Sequence, residues 1–249
     1  MPRPAIAGEV VHHTRDRMGP ILVIDDRRHR ILSFDSVFEQ SKIDRRRPWL
    51  PVHEYSRAML LPLAWRSPRR AAVLGVGGGA MVGAIHHLVP ACQLQAVELR
   101  PEVIRVAREY FSLPVAPTIT VTTGDARHAL EAMTEGSTDL ILADLYSADR
   151  MSPAQSRRQF IDLCVGALSE DGWLVLNYHQ PPDPEGRLFR HMRRRFASLL
   201  VYTSKTNNTV IYGSRQPVQP IAPASPVLKT LEGRLPIGWP KLMGKLTPV

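Results

Sequence analysis

Four features of this sequence, each following a short apolar run, have the residue types and the order needed to hold a nucleoside. They are the glycine turn 75–79, Glu98, Asp125 and Asp144. Glycine lets the backbone take a positive φ and, without a Cβ, lets a nucleotide lie against the main chain at a helix N-terminus. An acidic residue about twenty positions after such a turn is placed to accept hydrogen bonds from ribose hydroxyls. The pattern therefore predicts a nucleoside-binding crevice.

Each feature alone also has a structural interpretation, because glycines allow close packing and Asp is favoured in turns and at helix N-caps. The sequence Gly75-x-Gly77-x-x-Ala80 also fits a dinucleotide motif, so an NAD enzyme is an alternative. It fits less well, since no second mononucleotide-binding half and no separate substrate domain follow. In the nucleoside interpretation Asp125 suits the exocyclic amine of a purine, and Asp144 faces the reacting group.

The elements that must position these residues alternate in type from residue 71 onward. Strand-like apolar runs occupy 71–76, 93–98, 118–123, 139–143 and 172–178. Helical patterns occupy 80–88, 101–111, 126–134, 153–168 and 184–198. This alternation predicts an α/β fold with a parallel sheet, helices on both faces and ligands at the carboxyl ends of the strands. Residues 199–203 and 209–212 predict a closing hairpin, which makes the sheet seven-stranded and mostly parallel.

We divide the chain into three parts. Residues 1–52 are predicted to form a small β-hairpin, from the apolar runs 21–24 and 31–34, and then a loop. Residues 53–214 are predicted to form a Rossmann-like, nucleoside-binding catalytic domain. Residues 215–249 contain seven prolines and few long apolar runs, so we expect a surface-wrapping or partly disordered tail.

The composition of the 249 residues predicts a soluble, cytoplasmic protein, because no apolar stretch is long enough to span a membrane and no signal peptide is recognised. Cys92 and Cys164 are interpreted as core thiols. The histidines lack partners at ligand spacing, so no metal site is predicted.

The net charge of +9 and the pI near 10.1 favour anionic partners. Arg187, Arg190 and Arg194 share one helix face, but no aromatic-interleaved RNA or DNA signature accompanies them. We therefore favour a solvated helix face over nucleic-acid binding.

Several motifs taken together resemble the spermidine synthase, or polyamine aminopropyltransferase, family. They are Val73–Gly79, Ala96–Val103, Gly124–Ala126, Leu140–Asp144 and Leu168–Asn177. The resemblance covers residues 20–213 and includes Val37–Gln40 and His53-Glu54. It implies the class I AdoMet-dependent methyltransferase fold, a three-layer Rossmann-like α/β architecture. It also implies transfer of an aminopropyl group from decarboxylated S-adenosylmethionine to an amine.

The resemblance also implies roles for individual residues. It places on the nucleoside side Gln40, Gly75, Gly77, Gly78, Glu98, Leu99, Asp125 and Ala126. Of these, Gln40 would contact the sulfonium nucleoside, Glu98 would bind the ribose, and Asp125 with Ala126 would bind the adenine. Asp144 matches the first catalytic aspartate, which orients and deprotonates the attacking amine.

The sequence departs from the family pattern on the amine side. Ala80 stands where the family has an aspartate that grips the aminopropyl ammonium, Ser147 replaces the second catalytic aspartate, and Val52 aligns with a tyrosine of the amine pocket. Tyr146 is a catalytic candidate that supplies a hydroxyl or a cation–π face, whereas Asp149 is interpreted as a loop turn. Since burying a polyamine without carboxylate partners is costly, we predict a small-molecule acceptor other than a standard polyamine.

Two alternatives to aminopropyl transfer stay open. Methyl transfer from intact S-adenosylmethionine is one, because Ala80 removes an aspartate that would repel the methionine carboxylate. A non-catalytic nucleoside-binding or regulatory protein is the other. The sequence leaves a homodimeric state open and predicts no membrane partner.

Overall fold

The computed structural model describes residues 6–35, 37–146 and 153–249, and their strands form two sheets. The N-terminal sheet is an antiparallel meander in chain order, with strands β1 Glu9–Asp16, β2 Gly19–Asp25, β3 His29–Ser33, β4 Ser41–Asp44 and β5 Arg47–Pro51. The predicted hairpin is present as β2 and β3, but it is the centre of five strands, and the predicted loop contains β4 and β5. These two strands carry weak signals, because β4 has one apolar residue and β5 contains two prolines.

The second sheet contains the strands β6 Arg70–Leu74, β7 Gln93–Glu98, β8 Ile119–Thr123, β9 Thr138–Ala143, β10 Leu168–Tyr178, β11 Ser198–Thr203, β12 Thr209–Ser214 and β13 Thr247–Pro248. Their order across the sheet is β13-β11-β12-β10-β9-β6-β7-β8. The five strands from β8 to β10 are parallel, and β12, β11 and β13 pair antiparallel. The α/β, mostly parallel prediction is confirmed, and the sheet has eight strands rather than seven because β13 comes from the expected tail.

The helices are α1 Glu54–Ala58, α2 Ala80–Leu88, α3 Pro101–Tyr110, α4 Ala126–Glu131, α5 Arg158–Ala167, α6 Arg187–Arg195, α7 Pro226–Arg234 and α8 Trp239–Met243. They cover both faces of the second sheet, with one apolar cluster on each face, which gives the three layers. On α6, Leu188, Phe189 and Met192 are buried, whereas Arg190 and Arg194 are exposed. The arginine face of α6 is therefore solvated.

A third apolar cluster joins the N-terminal sheet to α3. It contains Ile21, Leu32 and Ile43 from the sheet, and Val103 and Val106 from the helix. Burial of these side chains removes apolar surface from water, which is the main favourable contribution to such a contact. The contact places β4, and the segment before it, over the carboxyl edge of the second sheet.

From α7 onward the C-terminal segment contributes to the core, so the expectation of a partly disordered tail is wrong for residues 226–249. Leu228, Leu235 and Trp239 are fully buried in the cluster that also contains α2. The prolines misled the sequence interpretation, because Pro226 and Pro240 lie in the first turns of α7 and α8. Proline is favoured there, since its missing N–H has no helical partner to lose.

Replacing Trp239 with Ala is expected to lower the free energy of unfolding by about 3–5 kcal/mol, the usual cost of removing a buried Trp. The ring is 0% exposed and its Nε1 donates to the Leu235 carbonyl at 2.9 Å. Chemical denaturation of the variant measures the loss. The matched control is Trp49→Ala, whose ring is 37% exposed and whose loss we expect to be about 1 kcal/mol. Equal losses would contradict a core role for residues 226–249.

Glu54, the first residue of α1, is bound by residues from distant parts of the chain. Its carboxylate accepts hydrogen bonds from the Tyr202 hydroxyl at 2.5 Å, the Lys245 Nζ at 2.9 Å and the Lys205 N–H at 3.0 Å. Burial raises the pKa of Glu54, but these hydrogen bonds outweigh it and lower the pKa to about 2. The start of α1 is therefore fixed to β11 and to the segment before β13.

None of the helices in the described parts of the chain combines the length and the apolar character needed to cross a bilayer.

Candidate active site

The sheet register brings the predicted site residues to one edge. Leu74 of β6 lies level with Val97 of β7 and with Ala143 of β9. The next residues, Gly75, Glu98 and Asp144, therefore leave the sheet side by side. Backbone hydrogen bonds continue this arrangement, from the Gly75 N–H to the Val97 carbonyl and from the Asp144 N–H to the Leu74 carbonyl, both at 2.9 Å.

Three positions in the glycine turn 75–79 require glycine, each for a different structural reason. Gly75 has φ +90°, and a Cβ there would lie 2.3 Å from the Asp144 carbonyl oxygen. A Cβ on Gly78 would lie 2.7 Å from the Ser41 Oγ. The absence of a side chain at position 78 therefore lets β4 of the N-terminal sheet pack against the turn. At Gly77, with φ +52°, the nearest atom to a Cβ is the Ser41 Cβ at 3.7 Å, and the backbone angle is the constraint. Gly75 thus lets the turn approach the end of β9.

Glu98 closes the turn from the neighbouring strand. Its Oε2 accepts hydrogen bonds from the Val76 N–H at 3.0 Å and the Gly77 N–H at 3.3 Å. Its Oε1 accepts one from the Arg100 N–H at 3.1 Å. The side chain is buried, whereas the adjacent Leu99 is 51% exposed. Glu98 therefore fixes the shape of the glycine turn, and Leu99 presents an apolar surface beside it.

Asp125 is the N-cap of α4. Its Oδ1 accepts hydrogen bonds from the Arg127 N–H at 2.8 Å and the His128 N–H at 3.3 Å, which is the usual capping geometry. The side chain is exposed, and the following Ala126 is buried. A hydrogen bond from the Gly124 N–H to the Glu98 carbonyl, 2.9 Å long, holds this segment next to Glu98.

Asp144 is held by a neighbouring strand. Leu176 of β10 lies level with Ala143 of β9, so Asn177 comes level with Asp144. The Asn177 Nδ2 donates to the Asp144 Oδ1 at 2.8 Å. Burial raises the pKa of Asp144 to about 6, because this single hydrogen bond offsets only part of the cost of burying the charge. A carboxyl group that ionises near neutral pH is suited to accept a proton.

Asn177 and Gln155, which sequence reasoning missed as site residues, hold Asp144 and the segment after it in place through hydrogen bonds. The Gln155 side chain is fully buried; its Nε2 donates to the Asn177 carbonyl at 2.6 Å and its Oε1 accepts from the Leu145 N–H at 3.2 Å. The Asn177 Oδ1 accepts from the Asn208 Nδ2 at 3.3 Å. The segment after Asp144 is therefore tied to β10 and to the start of β12.

Two tyrosines lie beside Asp144. The Tyr146 hydroxyl donates to the Asn177 carbonyl at 3.4 Å. Burial first, and then the negative charge of Asp144, raise the pKa of Tyr146 and of Tyr55 above the usual value. Both tyrosines therefore keep their hydroxyl protons at neutral pH. Tyr55, at the start of α1, was missed, although it is three positions after Val52, where the family pattern has a tyrosine.

His53 and Glu39 extend this side of the site. The His53 ring stacks on Tyr55, with centroids 5.6 Å apart, and its buried Nε2 has no hydrogen-bond partner among the described residues. The Glu39 carboxylate lies 3.7 Å from that nitrogen. Burial lowers the pKa of His53, and the Glu39 charge opposes this effect. A polar group and a carboxylate therefore flank Tyr55.

Gln40 lies directly before Ser41, the residue that contacts the glycine turn. Its backbone N–H donates to the Leu32 carbonyl at 2.8 Å, which fixes the segment over the crevice. Ala80 is the first residue of α2, next to the turn. Two residues weighed in the sequence interpretation, Ser147 and Asp149, lie outside the described residues.

The cysteines and the histidines His12 and His87 have packing roles. Cys92 and Cys164 are buried, as predicted for core thiols. His12 stacks on Tyr110, and His87 stacks on Trp49. In the described ranges, no group of three or more His, Cys, Asp or Glu side chains is arranged to hold a metal ion.

Comparison with known sequences gives two kinds of match. A family model described as an O-methyltransferase domain matches residues 63–176. A polyamine aminopropyltransferase from Chromobacterium violaceum is 32% identical over 171 residues, which cover 66% of this chain and 63% of that protein. One from Vibrio vulnificus is 26% identical over 215 residues, covering 81% and 71%. The chain spans about three fifths of the length of the first curated relatives that it matches.

Comparison with solved structures shows the fold. A probable spermidine synthase from Corynebacterium glutamicum has a TM-score of 0.76 at 22% identity, covering 91% of this chain and 87% of that one. A spermidine synthase in complex with the transition-state analogue AdoDATO has a TM-score of 0.64 at 16% identity, covering 83% and 74%. Human methyltransferase-like protein 13 in complex with SAH has a TM-score of 0.62 at 21% identity, covering 78% of this chain and 94% of that one.

These matches confirm the predicted fold and the resemblance stated from the motifs. The glycine turn, Glu98, Asp125 and Asp144 meet at the edge of the sheet where this fold class binds its ligand. The chain therefore has the class I AdoMet-dependent methyltransferase fold and is similar in sequence to polyamine aminopropyltransferases.

Proposed function

We propose that this protein binds an S-adenosylmethionine-type sulfonium nucleoside at the glycine turn and transfers an alkyl group from it to a small-molecule acceptor. The observation that carries the proposal is the position of Asp144, a carboxyl group whose pKa is raised to about 6 and whose backbone contacts Gly75 of the turn. A base that works near neutral pH thus lies beside the predicted nucleoside site. The names of the curated relatives and the analogue AdoDATO bound by one fold neighbour support the same chemistry.

On the nucleoside side, the unused hydrogen-bonding capacity supports the proposal. A carboxylate oxygen can accept two hydrogen bonds, and the Glu98 Oε1 accepts one within the described chain. The remaining capacity suits a ribose hydroxyl. Both hydrogen bonds to Asp125 are at its Oδ1, which leaves Oδ2 for the exocyclic amine of adenine. Leu99 would cover a face of the base, and Gln40 would approach the sulfonium from the N-terminal sheet.

The proposed reaction needs little from the protein beyond position and a base. The lone pair of the acceptor nitrogen forms a bond to the carbon next to sulfur, the carbon–sulfur bond breaks, and its electrons remain on sulfur as a neutral thioether. The nitrogen proton passes to the Asp144 carboxylate. Asn177 holds the Asp144 Oδ1, and no described residue donates to Oδ2, so Oδ2 is available for the acceptor. The sulfonium is already activated, so alignment contributes most of the catalysis, and no metal is needed.

On the acceptor side, the described residues include two carboxylates, Asp144 and Glu39, and the sequence has Ala80 and Ser147 where the family pattern has two further aspartates. Ala80 offers a methyl group beside the turn, and the aromatic groups Tyr55 and Tyr146 flank Asp144. Burying several ammonium groups with few carboxylate partners is unfavourable. We therefore propose an acceptor other than a standard polyamine. Separately, we propose a cytoplasmic location, which is the prediction from the sequence.

Methyl transfer is the second candidate, and Ala80 favours it. This residue begins α2, whose N-cap Gly79 has its φ at 80°. The N–H groups of a helix N-terminus attract a carboxylate, and Ala80 adds no negative charge there. The carboxylate of intact S-adenosylmethionine would fit this position. The match to an O-methyltransferase family model is consistent with it.

Calorimetry with S-adenosylmethionine, decarboxylated S-adenosylmethionine and methylthioadenosine tests the proposal. We expect all three to bind, because they share the nucleoside. Tighter binding of the decarboxylated form would favour aminopropyl transfer, and tighter binding of the intact form would favour methyl transfer. The variant Ala80→Asp should shift the preference toward the decarboxylated form by about tenfold or more, through repulsion of the carboxylate.

The same experiment has clear negative outcomes. If none of the three compounds binds, the nucleoside proposal is wrong. If they bind but no acceptor in a broad panel of amines, thiols and hydroxyl compounds is alkylated, the non-catalytic alternative is favoured. Turnover of putrescine or spermidine would show that the argument from missing carboxylates is wrong.

A further inference from the structure

A cavity of about 860 Å³ lies at one end of the N-terminal sheet, away from the glycine turn. It is lined by Arg27, Arg28, Asp44, Arg45, Arg46 and Arg47. These residues belong to two turns, one between β2 and β3 and one between β4 and β5. The turns are neighbours because β3 pairs with β4, with His29 opposite Asp44. A hydrogen bond from the Arg45 N–H to the Arg28 carbonyl, 3.1 Å long, joins their backbones.

Asp44 organises this cavity, which we call the arginine cavity. Its side chain is 5% exposed. Its Oδ1 accepts from the Arg46 N–H at 2.9 Å, and its Oδ2 accepts from the Arg28 Nε at 2.8 Å. These hydrogen bonds hold the pKa of Asp44 below its usual value, so the carboxylate is charged. One nearly buried carboxylate thus fixes both turns and orients a guanidinium before any ligand arrives.

The lining carries a large excess of positive charge. It contains five guanidiniums and a single carboxylate. Arg45 pairs with Asp25, a carboxylate outside the lining, at 3.5 Å. For Arg27 and Arg46 no carboxylate lies within ion-pair distance among the described residues. All five arginines are exposed, so salt screens part of their mutual repulsion, which is strongest at low ionic strength. An anion that enters the cavity would relieve this repulsion.

We propose that the arginine cavity binds a ligand that carries adjacent phosphate groups. Guanidinium is planar, stays charged and matches the oxygens of phosphate with paired N–H donors. One phosphate group carries about −1.5 to −2 charges at neutral pH, too little to balance the lining, whereas a chain of phosphates balances it. None of the residues that line the cavity is among those predicted to hold the nucleoside.

Calorimetry with inorganic tripolyphosphate on the full chain tests this proposal, since tripolyphosphate has no ribose or base to bind at the crevice. We expect saturable binding that is at least about tenfold tighter than that of orthophosphate. The double variant Arg27→Ala/Arg46→Ala should weaken it at least about tenfold. Neither arginine has an ion-pair partner among the described residues, so the fold should be kept, and the unfolding curve checks this. ATP in place of tripolyphosphate distinguishes the source, since tighter binding of ATP that the Arg27→Ala/Arg46→Ala variant weakens would identify a nucleotide at this cavity.

The matched control is Arg190→Ala/Arg194→Ala, which removes the same charge from the exposed face of α6. We expect this variant to bind tripolyphosphate as the parent does. Equal weakening by both double variants would mean that only net charge matters, and would overturn the proposal. So would binding of RNA without saturable binding of tripolyphosphate, which would identify a polymer partner instead.

Discussion

Replacing Asp144 with Asn is expected to lower the rate of alkyl transfer by about 10³-fold, the usual contribution of a general base. The amide cannot take the proton of the acceptor, yet its oxygen can still accept the hydrogen bond that Asn177 donates at 2.8 Å. The proposed nucleoside contacts lie on other residues, so donor affinity should be unchanged. Single-turnover assays with the acceptor found in the panel, and calorimetry with the donor, measure the two quantities. Unchanged turnover would remove Asp144 from the catalytic role.

The same variant should be more stable than the parent at alkaline pH. The folded-state pKa of Asp144 is raised from 3.8 to about 6, so ionisation costs stability as the pH rises through this range. Well below pH 3.8 the carboxyl is neutral in both states and there is no cost, and at pH 4 the cost is still small. Above pH 6 the full cost applies, and Asp144→Asn should gain about 2–3 kcal/mol. Denaturation at pH 4 and pH 8 measures the difference.

Asp125→Asn provides the control for this stability change. Asn caps helices as well as Asp does, and the side chain is exposed. We expect its free energy of unfolding to stay within about 0.5 kcal/mol of the parent at both pH values. A gain at pH 8 in this variant as large as that in Asp144→Asn would indicate a general charge effect rather than relief of a buried carboxylate.

Replacing Gly75 with Ala is expected to destabilise the protein by about 3 kcal/mol or more, because strain and overpacking add. Its φ is +90°, and the new methyl group would lie 2.3 Å from the Asp144 carbonyl oxygen, a backbone atom at the end of β9. Asp144 would have to move, so transfer should fall as well. Thermal unfolding and the transfer assay measure the two effects.

Gly77→Ala is the matched control, two residues along the same turn. Its φ is +52°, but the nearest atom to the new methyl group lies 3.7 Å away. Only the left-handed backbone conformation then costs stability, about 1–2 kcal/mol. If the two variants were equally destabilised, the contact between the turn and Asp144 would not be the reason for glycine at position 75.

The parts of the fold predicted from sequence are those with strong local patterns. The strands that lead to the glycine turn, Glu98 and Asp144 are rich in apolar residues, as is typical of buried parallel strands. Carboxyl ends of such strands meet at one edge, so Glu98 and Asp144 could be placed together before any coordinates. The contact between Gly75 and Asp144 could not be predicted from the sequence pattern, because it depends on the register of β6 against β9.

The residues that were missed depend on pairing between distant segments. Asn177 reaches Asp144 only because β10 lies level with β9, and Gln155 acts through its contacts with Asn177 and Leu145. Neither has a local signal of function. The tail was misjudged for another reason, since its prolines begin helices instead of preventing them. Tyr55 directly follows the His53-Glu54 motif, but it is not part of that motif and was therefore not predicted as a site residue.

The ion pair between Glu54 and Lys245 affects the order in which the chain can complete its fold. The two residues are 191 positions apart in sequence. Contacts of such wide separation form late, because a long loop must close before they stabilise anything. During synthesis Lys245 leaves the ribosome long after α1, so the start of α1 stays without this partner until the chain has been made as far as residue 245. Tyr55 follows Glu54 directly, and so the acceptor side of the site is among the last parts to become rigid.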